Sequence, residues 1–324
     1  KCMSHNIKSE PILLVGAGPM AIEYARILKD ADVNYTVVGR GLNSANKFEK
    51  ELGKTVVQGG IELYLQDQNE IPKIAIVALQ VNQLAAITQL LLFHGVKKVL
   101  VEKPAGITKK EIEQLVHKEK FFQSKIFVAY NRRFLSSVQK AKELIVEDGG
   151  ILSFNFEFTE WSHVIAPLSK PEGVKETWFY SNTTHVVDLA FFLGGAIKEM
   201  KSFVSRGLKW HPKGSVFSGA GITNNGALFS YHANWESAGR WGLELSTGKR
   251  KIILTPLEKV QIQNLGSIQV HEMEIDDTWD RKYKPGLYLQ VYHFIMNDDC
   301  TDLLRIGSQL ENFETIFEKI LNDQ

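Results

Sequence analysis

Between residues 11 and 129 short apolar runs alternate with stretches whose apolar positions recur at helical spacing. The runs fall at 12–15, 35–38, 74–78, 99–101 and 126–129, and the helical stretches at 20–29, 45–52, 83–94 and 109–121. Strands that alternate with helices of this length build βαβ units around a parallel sheet. Helices then cover both faces, so the strands read as unbroken runs rich in Ile, Val and Leu. The pattern predicts an α/β fold, with residues 1–128 forming a doubly wound Rossmann domain.

After residue 150 the pattern changes to alternation, at 152–159, 200–206, 227–235, 241–246, 251–255, 260–264 and 268–273. Turn signals such as Ser246-Thr247-Gly248-Lys249 and Asn264-Leu265-Gly266-Ser267 separate these stretches. They predict an α+β domain over 129–324 with a large open sheet, mixed or antiparallel. Helical patterns at 183–193, 288–297 and 303–321 interrupt or close it. All six Trp (161, 178, 210, 235, 241 and 279) fall in this half. Two accounts fit them: core packing or a buried oligomer face, or stacking of Trp161 or Trp178 on a substrate ring.

Composition narrows the classes. At about 150 residues per domain, 324 residues suggest two domains. The 38 Lys and Arg against 37 Asp and Glu leave a net charge of +1, which gives no global field for nucleic acid or an anionic membrane. No apolar run approaches the roughly 20 residues that span a bilayer. The polar first ten residues lack a secretory pattern, so a cytoplasmic location is expected. Cys2 and Cys300 make neither a disulfide framework nor a zinc pattern, and the histidines outside the motifs below show no ligand spacing; no metal is expected.

The first run leads directly into Gly16-Ala17-Gly18-Pro19-Met20-Ala21, a G-x-G-x-x-A sequence in strand-turn-helix context. Gly16 permits the tight turn, Gly18 lets backbone approach a pyrophosphate, and the helix N-terminus favours its charge. After the second run comes Gly39-Arg40-Gly41-Leu42-Asn43-Ser44, with no carboxylate before Glu49. Arg40, with Gly39 before it and Ser44 four residues on, can then face an adenosine 2′-phosphate without a competing anion, which favours NADP(H) over NAD(H). Stacking of Arg40 on adenine is the other account, and it suits either cofactor. Leu79 follows the third run in the same setting.

The fourth run ends in Glu102-Lys103-Pro104, which puts Lys103 at the carboxyl edge of a parallel sheet, where ligands bind. Tyr130-Asn131-Arg132-Arg133-Phe134 follows the fifth run, and Asn182-Thr183-Thr184-His185-Val186-Val187-Asp188 opens an apolar helix. Together with the glycine loop, these segments resemble the glucose-fructose oxidoreductase/inositol dehydrogenase (Gfo/Idh/MocA) family in motif and order, over nearly the whole chain. The resemblance implies a nicotinamide cofactor on the first domain, with Glu102, Asn131 and Arg132 adding contacts. It implies Lys103 near the reacting oxygen and His185 as acid/base, with Tyr130, Trp161, Ser181 and Asn182 on the substrate side. His185 in a helix's first turn would have a lowered pKa. Asp188, one turn further, reads as structural. One departure stands out: Ser181 occupies the position, four residues before the histidine, where many family members carry Asp.

The leading expectation is an NADP(H)-dependent oxidoreductase acting on a carbonyl or alcohol of a carbohydrate-like small molecule, sugar nucleotides included. It is expected to form a homo-oligomer, dimer or tetramer, through the second sheet. The alternatives are reduction of a C=N bond and a cofactor-binding sugar sensor without turnover.

Overall fold

The computed structural model describes residues 9–296 and 301–322. The chain forms two compact units: one of the residues up to Tyr130 with Lys282–Leu310, the other of Asn131–Arg281 with the residues from Glu311 onward. The first opens with strands β1 (Ile12–Val15), β2 (Tyr35–Val38), β3 (Ile74–Val77), β4 (Lys98–Glu102) and β5 (Lys125–Ala129). Between them run helices α1 (Pro19–Asp30), α2 (Leu42–Leu52), α3 (Ile61–Asp67), α4 (Leu84–Phe93) and α5 (Lys109–Phe121). The five strands are parallel, in the order β2-β1-β3-β4-β5. All four residues of β1 are at most 1% exposed, as a strand covered on both faces must be. Beyond β2, Val57 makes a single parallel bridge to Val38 where a further strand would lie. With it the order is that of a dinucleotide-binding sheet, whose switch point falls between β1 and β3.

The second unit contains α6 (Ser136–Glu147), β6 (Ser153–Phe158), α7 (Ser162–Ile165), α8 (Thr184–Gly194), β7 (Ile197–Ser205), β8 (Val216–Thr223) and β9 (Leu228–Asn234). It continues with β10 (Trp241–Ser246), β11 (Arg250–Leu254), β12 (Gln261–Asn264), β13 (Val270–Glu272) and α9 (Thr278–Lys282). The sheet is mixed, in the order β13-β12-β11-β10-β6-β9-β8-β7, with β6 and β9 parallel and the other pairs antiparallel. Helix α8 lies on it: Phe191 meets Phe154 and Phe156 edge-on at 5.8 and 5.7 Å, and Gly194 leaves room for the Phe154 ring, which an added Cβ would approach to 2.3 Å. β8 escaped the alternation because its sequence, VFSGAGIT, is interrupted by glycines. They are needed for close packing, since a Cβ on Gly219 would come 2.4 Å from the Tyr231 ring and one on Gly221 2.1 Å from the Glu199 carbonyl oxygen.

The chain then departs from a single cut after residue 128. Helix α10 (Leu287–Met296) packs on α1, and β14 (Leu304–Arg305), within the stretch 303–321 expected to be helical, pairs antiparallel with β5 before α11 (Ile306–Asn312) begins. The cause is hydrophobic: Leu287, Val291 and Phe294 are fully buried.

Candidate functional site

In the first unit the carboxyl ends of β1, β2, β3 and β4 lie along one edge and carry the glycine loop, Gly39, Leu79 and Lys103. Gly16 has φ +113, and a Cβ there would stand 2.2 Å from the Ala78 carbonyl oxygen and 3.2 Å from Leu79, so the fold itself demands glycine. Gly18 differs: its φ of −79 is open to any residue, and a Cβ would meet nothing within 4 Å. The bare space in front of it, at the start of α1 with Pro19 at the first turn, fits a cofactor pyrophosphate held by free backbone N–H groups. Met20 is half-buried behind it, while Arg40 and Ser44 are exposed.

The premise for an unopposed Arg40 is corrected. The Glu62 carboxylate, in the first turn of α3, accepts from the Arg40 guanidinium at 2.6 Å, and that bond holds its pKa below the ordinary 4.5. Sequence reasoning stopped at Glu49, whereas the Val38–Val57 bridge folds the chain back and brings a later carboxylate to the end of β2.

Lys103 sits half-buried in a turn that follows β4 through a cis Lys103–Pro104 peptide and closes with the Ala105 N–H on the Glu102 carbonyl, 3.0 Å. Gln309 of α11, fully buried, donates to the Pro104 carbonyl oxygen at 3.0 Å and to the Tyr130 hydroxyl at 2.8 Å. Tyr24 of α1 donates to the Glu102 carboxylate and accepts from Gln290 of α10 at 3.1 Å. Burial, then the Glu102 charge, push the Tyr24 phenol well above its ordinary pKa, so it remains a donor. Tyr24, Gln290 and Gln309 thus position the Glu102–Lys103 turn, and no motif announced them. Tyr130, expected to face substrate, is 1% exposed with its hydroxyl taken by Gln309; its ring packs the core.

In the second unit His185 is buried in α8, its ring 6.1 Å from that of Trp241. The first-turn position expected for it is corrected: a π-helical turn, Phe179–Thr183, runs into α8, so His185 stands well inside a longer helical stretch and away from free N–H groups. Asp188 accepts from Arg133 at 2.6 and 2.8 Å in a buried bidentate pair. Arg132, expected at the cofactor, lies with Asn131 in this unit, its guanidinium 5.7 Å over the Trp241 ring. Ser181 is buried, its hydroxyl directed at the Trp178 carbonyl oxygen at 3.4 Å.

The carboxylate beside this cluster is Glu160, just past β6 and 2% exposed. It accepts from Trp241 Nε1 at 2.9 Å, the Thr183 hydroxyl at 3.2 Å and the Asn182 amide at 3.3 Å, with Arg240 3.8 Å away. Burial raises its pKa above 4.5 despite those donors and the Arg240 charge. Neighbouring it, Trp161, Ser162, His163, Ala166, Trp235 and the 236–239 loop line a cavity of about 920 Å³. Trp161 is 44% exposed, Arg240 lies 4.9 Å over its ring, and its indole N–H donates to the Gly239 carbonyl at 2.7 Å. Trp210 and Trp235 instead stack in the core at 5.8 Å. Core packing is therefore the account that fits Trp210 and Trp235.

Among the described residues no group of three His, Cys, Asp or Glu is arranged to hold a metal, and no helix is long and apolar enough to cross a membrane. Cys2 and Cys300 lie outside the described residues.

No family model and no curated protein matches the chain. Solved structures do. An oxidoreductase from Agrobacterium radiobacter, in complex with NAD+, L-tartaric acid and magnesium, is 13% identical with a TM-score of 0.77, covering 98% of each chain. The WlbA dehydrogenase from Chromobacterium violaceum, in complex with NADH and UDP-GlcNAcA, is 15% identical with a TM-score of 0.75, over 98% of this chain and 96% of that one. Levoglucosan dehydrogenase in complex with NADH is 16% identical with a TM-score of 0.74, over 97% and 96%. This shared fold, over nearly the whole chain, is the one implied by the resemblance to the Gfo/Idh/MocA family.

Proposed function

We propose that the protein is a nicotinamide-dependent oxidoreductase that transfers a hydride to or from a carbohydrate-like alcohol or carbonyl. One observation carries the reading: the open space at Gly18 and the tethered Lys103 share the carboxyl edge of a single parallel sheet. A bound nicotinamide cofactor supplies or accepts the hydride. The N–H groups of Gly18 and Met20 would hold its pyrophosphate, beside the Gly16 turn against which Leu79 packs. Lys103 serves as the ammonium that stabilises negative charge developing on a substrate oxygen, and His185 serves as the acid/base group. With Ser181 in place of a carboxylate, Glu160 and Trp241 shape the surroundings of His185. The choice of substrate class rests on the cavity beside Trp161, where an indole face suits sugar C–H groups and Ser162, His163 and Glu236 offer hydroxyl partners.

The test is spectroscopic. Purified protein is expected to change NADH or NADPH fluorescence on binding and to consume the reduced cofactor with a member of a panel of keto-sugars and sugar nucleotides. Lys103→Ala and His185→Ala are each expected to lower kcat by about 10²- to 10⁴-fold, the usual range for a positioned proton-transfer or charge-stabilising group. Unchanged turnover in Lys103→Ala overturns the assignment, and sugar binding without turnover by the unaltered protein favours the sensor reading instead.

A further inference from the structure

The end of β2 carries a second carboxylate-based feature. Val57 N–H donates to the Val37 carbonyl and Gly39 N–H to the Val57 carbonyl, both at 2.9 Å, and Gly60 N–H donates to the Gly39 carbonyl at 3.1 Å. Gly39 itself abuts the glycine loop, since a Cβ there would stand 2.9 Å from the Ala17 Cβ. The start of α3 is thereby tied through Gly39 to the edge that meets the adenosine ribose in a dinucleotide-binding sheet. Gly60, with φ +87, leaves open the space in which the Arg40–Glu62 pair lies; a Cβ there would approach Arg40 Nε to 2.9 Å and Glu62 Oε2 to 3.2 Å.

We propose that Glu62 sets cofactor choice: paired with Arg40, it supplies the acceptor for a ribose 2′-hydroxyl and opposes a 2′-phosphate, so the protein prefers NAD(H). The inference rests on the dinucleotide reading of the Gly16–Gly18 loop. A 2′-phosphate has to displace Glu62 from the guanidinium and then stand beside its negative charge, whereas a hydroxyl donates to the carboxylate with the pair intact. Discrimination therefore comes as much from repulsion of the wrong cofactor as from attraction of the right one.

The experiment is a fluorescence titration of the full chain with NADH and NADPH, for the unaltered protein, Glu62→Gln, and Glu62→Gln with Arg40→Ala. The unaltered protein is expected to bind NADH at least ten-fold more tightly than NADPH. Glu62→Gln is expected to shift that ratio toward NADPH by ten-fold or more, and removal of Arg40 as well to abolish the gain. Both side chains are largely exposed, so the melting temperature should hold. If both cofactors bind and the ratio is unchanged in Glu62→Gln, the selectivity role is overturned and the dinucleotide site stands. If neither binds to the unaltered protein, both fall.

Discussion

Two glycines two positions apart separate what the fold requires from what a ligand requires. Gly16 is fixed by its own chain, and Gly16→Ala is expected to cost about 1–3 kcal/mol, read as a lowered melting temperature of the cofactor-free protein, because it combines a positive φ with a carbonyl contact. Gly18→Val is expected to leave stability within about 0.5 kcal/mol, since nothing crowds the position. It should nevertheless weaken NADH binding ten-fold or more by filling the space a phosphate needs. Glu160 offers a pH test. Its folded pKa lies above its ordinary 4.5, so the folded state binds the proton more readily than the unfolded chain. That contribution to stability is complete below about pH 4.5 and is lost as the pH rises through the raised value. Glu160→Gln, which does not ionise, is expected to flatten the dependence of melting temperature on pH across that window.

The helices that complete the first unit act on chemistry carried by other elements. Gln309→Leu leaves the Pro104 carbonyl and the Tyr130 hydroxyl without their α11 donor. The expected cost is about 1–3 kcal/mol for the buried hydrogen bonds lost, together with a fall in kcat while NADH affinity is kept, because the turn that carries Lys103 loses a support and the glycine loop does not. These supports were hidden from sequence reading for a physical reason. A glutamine among the polar residues of a short helix carries no periodic or motif signal, and its partners lie 179 and 205 residues away. The parallel strands, by contrast, were legible because each is buried on both faces and must be apolar throughout, and the loop because Gly16 tolerates nothing else. β8 was lost to its own packing: the glycines that admit the Tyr231 and Phe229 rings erase the alternation that identifies a strand. Glu62 was missed because an irregular segment, Val56 to Gly60, returns it to β2 without any strand pattern.

At the scale of the molecule, the first unit is discontinuous in sequence. Burial of Leu287, Val291 and Phe294 alone contributes about 2 kcal/mol each, a large share of the 5–15 kcal/mol by which domains are stable. A chain ended after Arg281 is therefore expected to lose cooperative unfolding in the first unit and, with it, the NADH fluorescence response, as a thermal melt and a titration would show. The pairing of Leu304 and Arg305 with Val128 and Phe127 also has a meaning in time. A ribosome releases β5 long before it releases the strand that caps it. Throughout that interval the nascent protein carries an open sheet margin, the kind of surface that recruits chaperones or sticks to a neighbouring polysome product.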